Sequence, residues 1–334
     1  MKTCLTIRVQ SLISSFVAVL WLLPLCLAAQ GSPPTLSGGQ YSGGTFSFTV
    51  NGPPSTTWSV YKSSNLQFWT SLGSVYLAGG TGTVSDNNAG GSYNFYLLSD
   101  GSVYSPVIGF VRIEVDSGHS KLIANQLNNG GNDISVALIN GPASDPNGIY
   151  NTVLYLWQGG GYDIYSFFTD ADALYYFGAS SGDGWYDLNT GSIQHSALNP
   201  GAGAVVYNPQ SANITLTLIG LVPAGSYTFP INPGYNLLSL VAPVSASLND
   251  VYFPGKSDPN GGFNDVLYLP NGGGYDVDQY FTAADADYYF GQDAGDGWYD
   301  ALGALQPART QVGSDFYVLR NGTGSSWTQI YFLP

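Results

Sequence analysis

The chain has 334 residues, and its 22 acidic residues outnumber its 8 Lys and Arg residues, which gives a formal net charge of −14. This balance excludes nucleic acid and anionic membrane surfaces as expected partners, because binding to phosphate needs clustered cations. Aromatic residues make up 14% of the chain, which excludes a disordered protein and predicts folded domains with a polar surface.

Residues 1–30 are predicted to be a cleaved signal peptide. Lys2 and Arg8 form a basic start, residues 12–27 are mostly apolar, and a Leu-Ala-Ala tripeptide at 27–29 offers a cleavage site. The alternatives are a permanent membrane anchor and a lipoprotein signal. The apolar run is short for an anchor, and Leu25 stands before Cys26 where a lipoprotein needs a small residue. We therefore expect a secreted protein, extracellular or at the cell surface.

The two cysteines, Cys4 and Cys26, both lie in this segment, so the mature chain is expected to have no disulfide. Glu114 is the only Glu among the 22 acidic residues, and the rest are Asp. Asp favours turns, helix caps and calcium-binding loops, whereas Glu favours helices.

The first module is predicted over residues 31–117. Short apolar runs with a period near two, such as GTFSFTV, TTWSVYKSS and VIGFVRIEV, are separated by Gly, Pro, Asn and Asp. Strands at roughly ten-residue spacing indicate a small antiparallel β-sandwich of the immunoglobulin or fibronectin kind.

This module resembles small sandwich modules of secreted verrucomicrobial-type bacterial proteins that carry an S-x-N-L-x-x-W-x-x-L pattern. The matching residues are Ser63, Asn65, Leu66, Trp69 and Leu72, although the Arg that often follows the final Phe-Tyr is missing after Tyr96. The resemblance covers about 85 residues and implies an extracellular accessory module without an activity of its own.

The remainder of the chain is a tandem duplication, with modules predicted over 118–231 and 232–334. Residues 144–187 and 257–300 align without a gap at an offset of 113, and 30 of these 44 positions are identical. A repeat of this length is a duplicated domain and is too long for one solenoid unit. The second copy resembles repeats of uncharacterised secreted bacterial proteins with a G-x-N-L-x-S opening, matched by Gly234, Asn236, Leu237 and Ser239.

Within each copy, the VLYL runs at 153–156 and 266–269 are predicted to be buried strands, and the GGGYD segments are predicted to be hairpins. The segments TDADALYYF and TAADADYYF could form short helices capped by Thr. We expect instead that their aromatic triplets begin buried strands. The fold class is therefore all-β, with three small β-sandwich-like modules.

The GDGWYD motif, at 182–187 and 295–300, suggests a ligand site. Asp-Gly forms a tight turn, and the next two side chains project to opposite faces of the emerging strand. One ring could then stack on a sugar, or both could be structural, with Trp in the core and Tyr bonded to the backbone. The aromatic ligand-binding candidates are Tyr162, Trp185, Tyr186, Tyr275, Trp298 and Tyr299.

Repeated aspartates suggest calcium as a possible cofactor, because Ca²⁺ prefers carboxylate and carbonyl oxygens in flexible loops. The alternative is that they form turns and caps, since EF-hand spacing is missing. The candidate metal ligands are Asp172, Asp183, Asp187, Asp285, Asp287, Asp296 and Asp300.

Enzyme motifs are poor. Ser180 fits a nucleophile-elbow pattern by chance, since it has no counterpart in the other copy, and neither His119 nor His195 recurs. We therefore expect a non-catalytic protein for structure, adhesion or assembly, with self-association through strand edges. A protein that binds extracellular glycans is the alternative, and a polysaccharide hydrolase using Asp pairs is a more distant one.

Overall fold

The computed structural model describes residues 32–291 and 294–333, and most of their regular structure is antiparallel β-sheet. The predicted all-β class is confirmed. No helix in these ranges is long and apolar enough to cross a membrane. The predicted signal peptide lies outside the described residues.

Two sheets form a sandwich around the first core. Its strands are β1 (Thr35–Ser42), β2 (Thr45–Asn51), β3 (Thr56–Ser63), β4 (Thr70–Leu77), β5 (Thr81–Asp86), β6 (Tyr93–Ser99) and β7 (Ile108–Val115). One sheet has the order β1-β2-β5, and β4, β3, β6 and β7 are neighbours in the other. Period-two patterns such as TFSFTV bury Phe46 and Phe48 between the sheets, against Trp58, Tyr96 and Phe110.

The first repeat forms a six-stranded sheet. Its elements are β8 (Ser120–Ala124), α1 (Ile134–Ala137), β9 (Val153–Trp157), β10 (Tyr162–Phe168), α2 (Asp170–Phe177), β11 (Gly184–Asp187), β12 (Ser192–Ile193), β13 (Gly203–Tyr207) and β14 (Ile214–Leu221). The sheet has the order β12-β11-β10-β9-β13-β8. The last strand, β14, leaves this sheet and pairs along its whole length with β7 of the sandwich.

The second repeat has the same order in its sheet. Its elements are β15 (Gly225–Ile231), β16 (Gly234–Leu238), β17 (Val266–Pro270), β18 (Tyr275–Phe281), α3 (Ala283–Phe290), β19 (Gly297–Tyr299), β20 (Phe316–Arg320) and β21 (Ser325–Tyr331). The sheet order β19-β18-β17-β20-β16 matches β11-β10-β9-β13-β8. The last strand again leaves the sheet, and β21 pairs with β15.

The VLYL runs form β9 and β17, so their prediction as strands is confirmed. Their burial alternates, because Leu154, Leu156 and Leu267 point into the cores while Tyr155 and Tyr268 are half-buried. The GGGYD segments are hairpins, as predicted: Gln158 N donates to Gly161 O in the first copy.

The prediction that the aromatic triplets begin buried strands is wrong, because both copies are helical there. Thr169 accepts a hydrogen bond from Asp172 N at the start of α2, and Gly178 ends the helix with a φ of +73°. Only Ala173 of α2 is fully buried, and Tyr175 is 72% exposed. Caps at both ends stabilise this helix, and the aromatic residues do not extend a sheet.

The sandwich and the first repeat share a core. Leu97 and Val111 of the sandwich pack in one cluster with Leu154 and Trp185 of the repeat. The boundary predicted at 117/118 separates β14 from its pairing partner β7, which lies before the boundary. The boundary predicted at 231/232 falls between β15 and β16.

Candidate functional site

The four aromatic residues of the GDGWYD motifs are buried. Trp185 and Trp298 are 0% exposed, and Tyr186 and Tyr299 are 1% or less. In each copy the Trp packs in the large core and the Tyr packs in a small cluster under the helix, so the two rings lie on opposite faces. No ring face is open to a ligand in this conformation.

Each of these tyrosines also binds the turn that precedes it. Tyr186 Oη donates to Gly182 O at 2.6 Å, and Tyr299 Oη donates to Gly295 O at 2.5 Å. The motif therefore fastens the Asp-Gly turn to the strand that follows.

The aspartates suggested for calcium form helix caps and turns. Asp172 and Asp285 each accept hydrogen bonds from a Ser and a Thr hydroxyl, those of Ser144 and Thr169 in the first copy. Asp183 accepts from Asp170 N, Asp296 from Ala283 N, and Asp187 from Asn189 N. Asp300 accepts from Leu302 N and Ala304 N, and also from Gln306 Nε2 at 2.7 Å. Asp287 contributes its carbonyl to the end of α3.

Within residues 32–291 and 294–333, no group of three or more Asp, Glu, His or Cys side chains is arranged to hold a metal ion. Calcium binding stays a prediction. Ser180 Oγ donates to Asp170 at 2.6 Å, and His195 Nδ1 lies 2.6 Å from Asp133 Oδ2.

A groove of about 1220 Å³ lies between the repeats. One wall is β8 with the residues before it, including Asp116 and Lys121. The other wall is the β17–β18 hairpin with residues 306–315. Tyr275, a ligand candidate from the sequence, lines the groove and is 45% exposed.

Asp278 lines this groove. Its residue is 4% exposed. Burial raises the pKa of Asp278 to about 6, and the neighbouring carboxylates of Asp276 and Asp300 add to the shift. The repeat alignment places Asp278 where the first copy has Tyr165, a core residue whose hydroxyl lies 3.5 Å from Ser196 Oγ.

Asp315 is a buried carboxylate that lines the same groove. It is 1% exposed, and neither oxygen accepts a hydrogen bond of good geometry from a described residue, although the backbone amides of Asp315 and Ala204 lie close enough to affect its pKa. Burial raises the pKa of this group well above its usual range, with the backbone amides of Asp315 and Ala204 opposing the shift.

The register of the strands identifies the counterpart of Asp315 in the first copy. Val205 pairs with Tyr155, and Tyr317 pairs with Tyr268, so Asp315 occupies the position of Gly203. Asp315 packs directly on Gly203 itself, where a Cβ would collide with its carboxylate.

Three tyrosines lie near Asp315, and one of them, Tyr275, lines the groove. The hydroxyls of Tyr162 and Tyr317 bond to each other across the two repeats, and the rings of Tyr275 and Tyr317 lie 6.1 Å apart. Burial raises the pKa of all three, and the charge of Asp315 contributes to each shift. Tyr162, the other aromatic candidate from the sequence, therefore joins the repeats.

A further feature is the two-stranded ribbon β15–β21. Within the described ranges, the free edges of both strands pair with no other strand. The equivalent ribbon of the first repeat, β7–β14, is continued by β6.

Comparison with known proteins gives no assignment. No protein-family model matches the chain. No curated protein sequence matches it at a significant level.

The sequence predictions did not include Asp278, Asp315 or strand β15, whereas self-association through strand edges was predicted. The difference between the copies could have identified Asp278, because the alignment pairs this carboxylate with the aromatic residue Tyr165. Asp315 lies beyond the aligned block, where the copies shift by one residue, so its counterpart emerges only from the strand register.

Proposed function

We propose that the protein is a secreted, non-catalytic extracellular protein for structure, adhesion or assembly, and that its molecules associate through open strand edges. The observation that carries this proposal is the unequal environment of two equivalent ribbons. The second repeat has a ribbon whose counterpart in the first repeat is built into a larger sheet.

The first repeat provides the precedent. Its ribbon strand β7 pairs with β14 on one side and with β6 on the other, where residues 108–111 pair with residues 93–96. Strand β15 corresponds to β7, because each precedes the first strand of a repeat sheet and pairs with the last strand of that repeat. Among the described strands, however, β15 pairs with β21 alone. Its backbone groups are therefore available to another strand.

The chemistry of this edge favours association. Neither β15 (GSYTFPI) nor β21 (SSWTQIY) contains a charged residue, and Ser226 and Thr228 on β15 are exposed. Natural edge strands that avoid association usually carry charges, especially Lys. Pro230 lacks an N–H, but it lies near the end of β15, whereas β6 pairs with the start of β7.

The occupant that fits is a second copy of this chain, through the edge strand β4 of its sandwich. In the first repeat the ribbon joins this same five-stranded sheet, whose opposite edge is β4. Strand β4 (TSLGSVYL) is uncharged, and most of it is exposed. Pairing of β4 with β15 joins two different surfaces, so repeated association produces closed rings or open chains of molecules.

Analytical ultracentrifugation and negative-stain microscopy of the purified mature protein test the proposal. We expect concentration-dependent oligomers or filaments. The variant Ser226→Lys/Thr228→Lys should remain monomeric, because two cations on the edge oppose strand pairing. Ser74→Lys/Tyr76→Lys on β4 should behave in the same way.

The matched control is Thr83→Lys/Ser85→Lys, which adds the same charge to exposed residues of a different edge strand, β5. This control should associate like the wild type. A wild-type protein that stays monomeric at high concentration, or a β15 variant that associates as readily as the control, would refute the proposal.

A further inference from the structure

We propose that the free edge of β21 binds an extended, basic peptide segment of another protein, which adds a β-strand in a slot between this edge and residues 240–252. The edge lies on the opposite side of the ribbon from β15. The proposal therefore goes beyond the association described above, and its test does not depend on that association.

The first repeat shows what occupies the equivalent edge there. Asn128 and Leu221 of β14 exchange two backbone hydrogen bonds of 2.8 Å, and Thr217 N donates to Asn140 O at 2.9 Å. The chain that follows β8 thus runs beside β14 and satisfies its outer backbone groups. The last strand of a repeat accepts a neighbouring backbone segment on this side.

In the second repeat this edge is open. Among the described residues, no backbone hydrogen bond joins β21 to residues 240–252. Two inward side chains of the strand do bond to this loop, because Gln329 accepts from Val241 N and Trp327 donates to Val251 O. These contacts hold the loop beside β21. The backbone groups that alternate residues of β21 direct away from β15 are left for another strand.

The contacts between the repeats identify equivalent positions in the two loops. Ala124 N donates to Gly313 O, and Ser239 N donates to Gly201 O. Gly313 corresponds to Gly201 by the same strand register that pairs Asp315 with Gly203. Ser239 therefore corresponds to Ala124, and the residues that follow them align at an offset of 115.

Two adjacent differences between the copies produce the slot. Pro243 stands at the position of Asn128 and has no N–H, so it cannot repeat the bonds that close the edge of β14. Ala242 stands at the position of Leu127, whose side chain is buried in the core of the first repeat. The smaller side chain leaves space beside β21 that Leu127 fills in the first copy.

The slot has the size and lining that strand addition requires. Its volume is about 370 Å³, within the range of about 300–1,000 Å³ usual for ligand pockets. One wall is residues 328–331 of β21, and the other is residues 240–244 and 250–252 of the loop. In strand addition, main-chain hydrogen bonds give affinity, and pockets for alternate side chains give specificity. The apolar side chains that receive them are Leu240, Val241, Ala242, Val244 and Val251.

Charge determines which peptide fits. Asp250 is the one charged residue in the lining of the slot; it is exposed and takes part in none of the ion pairs among the described residues. A Lys or Arg next to the apolar residues of the peptide complements this carboxylate, and an acidic peptide is repelled. The open strands β4 and β15 of this chain carry no cation. A segment of another protein therefore fits better than a second copy.

Fluorescence anisotropy with labelled, end-blocked peptides tests the proposal. The probes are Lys-Val-Thr-Val-Thr-Lys and Lys-Leu-Thr-Leu-Thr-Lys, used at protein concentrations at which ultracentrifugation shows monomers. We expect saturable binding of at least one probe with one peptide per chain. The same peptides with Glu in place of Lys, and the same peptides N-methylated at alternate residues, should bind about tenfold more weakly, since they lack the charge contact or the main-chain bonds.

Variants of the protein locate the site. Ala242→Leu, which restores the residue of the first copy, should weaken binding about tenfold without lowering the melting temperature, because it fills the slot. Asp250→Lys should weaken binding of the Lys peptides about fivefold and strengthen binding of the Glu peptides. Asp287→Lys, with the same charge change at an exposed residue of α3 outside the slot, is the matched control and should bind normally.

The outcomes separate the two parts of the proposal. Failure of both Lys probes to bind, equal binding of the N-methylated forms, or unchanged binding in folded Ala242→Leu would overturn strand addition at this edge. Equal binding of the Lys and Glu peptides, or an effect of Asp287→Lys as large as that of Asp250→Lys, would overturn the basic partner.

Discussion

Trp185 and Trp298 occupy equivalent positions in the cores of the two repeats. Trp298 packs against Phe253 and Tyr280, each with ring centroids 5.5 Å away, and Trp185 packs against Phe167 at the same distance. Replacing either Trp by Ala should therefore lower the free energy of unfolding by about 3–5 kcal/mol, as truncations of buried aromatic residues do.

Urea denaturation monitored by circular dichroism measures this loss. Phe263→Ala, at a residue that is 72% exposed, is the control and should change the free energy of unfolding by at most about 0.5 kcal/mol. A Trp298→Ala protein with wild-type stability and lost glycan binding would instead support a role of this ring in ligand contact.

Asp278 predicts a specific dependence of stability on pH. Its pKa is raised from 3.8 to about 6 in the folded state, so the folded chain holds this proton more tightly than the unfolded chain. The resulting stabilisation is complete below about pH 4 and is lost as the pH rises through 6. Asp278→Asn removes the titration, so the variant should gain stability relative to the wild type between pH 4 and 7.

Melting temperatures of both proteins at intervals from pH 4 to pH 8 measure this difference. The two curves should converge at the acidic end and separate above pH 5. Parallel curves would show that the carboxylate of Asp278 is solvated in solution.

At the scale of the elements, the helices α2 and α3 depend on their caps. Thr282 Oγ1 accepts from Asp285 N at 3.3 Å and donates to Asp285 Oδ2 at 2.9 Å, and Ser257 Oγ donates to the same oxygen. Thr282→Ala should therefore cost about 1 kcal/mol of stability, and Thr169→Ala should cost a similar amount.

Thermal unfolding in millimolar calcium and in chelator shows whether Asp285 caps the helix or binds a metal ion. If Asp285 is a capping residue, Thr282→Ala lowers the melting temperature by the same amount in both conditions. Wild-type melting that rises by several degrees in calcium would support the calcium prediction, because binding to the folded state alone stabilises a protein.

The same elements show what the sequence could predict. The VLYL strands follow from their apolar pattern, and the duplication follows from direct alignment. The helices were mispredicted because eight residues contain too little periodicity, and the adjacent Tyr175 and Tyr176 favour a strand by propensity. Their structure is determined by the Ser144–Thr169–Asp172 contacts, which join residues up to 28 positions apart.

The candidate sites were harder to predict, because both depend on tertiary context. Asp278 has the local sequence of a solvated strand residue, and only the surrounding sheet makes it buried. The open edge of β15 depends on which strands pair. That pairing joins β15 to β21, about 100 residues later in the chain.

At the scale of the whole molecule, the pairing of β14 with β7 links the first repeat to the sandwich. Strand β14 buries alternate residues, including Leu216 and Leu218, in a cluster with Val111 and Ile113 of β7. A fragment of residues 118–231 loses β7 and exposes these leucines to water. A fragment of residues 32–222 keeps both strands of the pair and all the strands of the two sandwich sheets.

We therefore expect residues 32–222 to fold with a cooperative unfolding transition and residues 118–231 to aggregate or remain unfolded. Near-ultraviolet circular dichroism and urea denaturation of the two purified fragments measure this difference. The expectation follows from burial, because an apolar edge strand without its partner both loses core contacts and promotes aggregation. A stable, monomeric fragment 118–231 would show that the repeat core forms without β7 and that the boundary predicted at 117/118 separates independent domains.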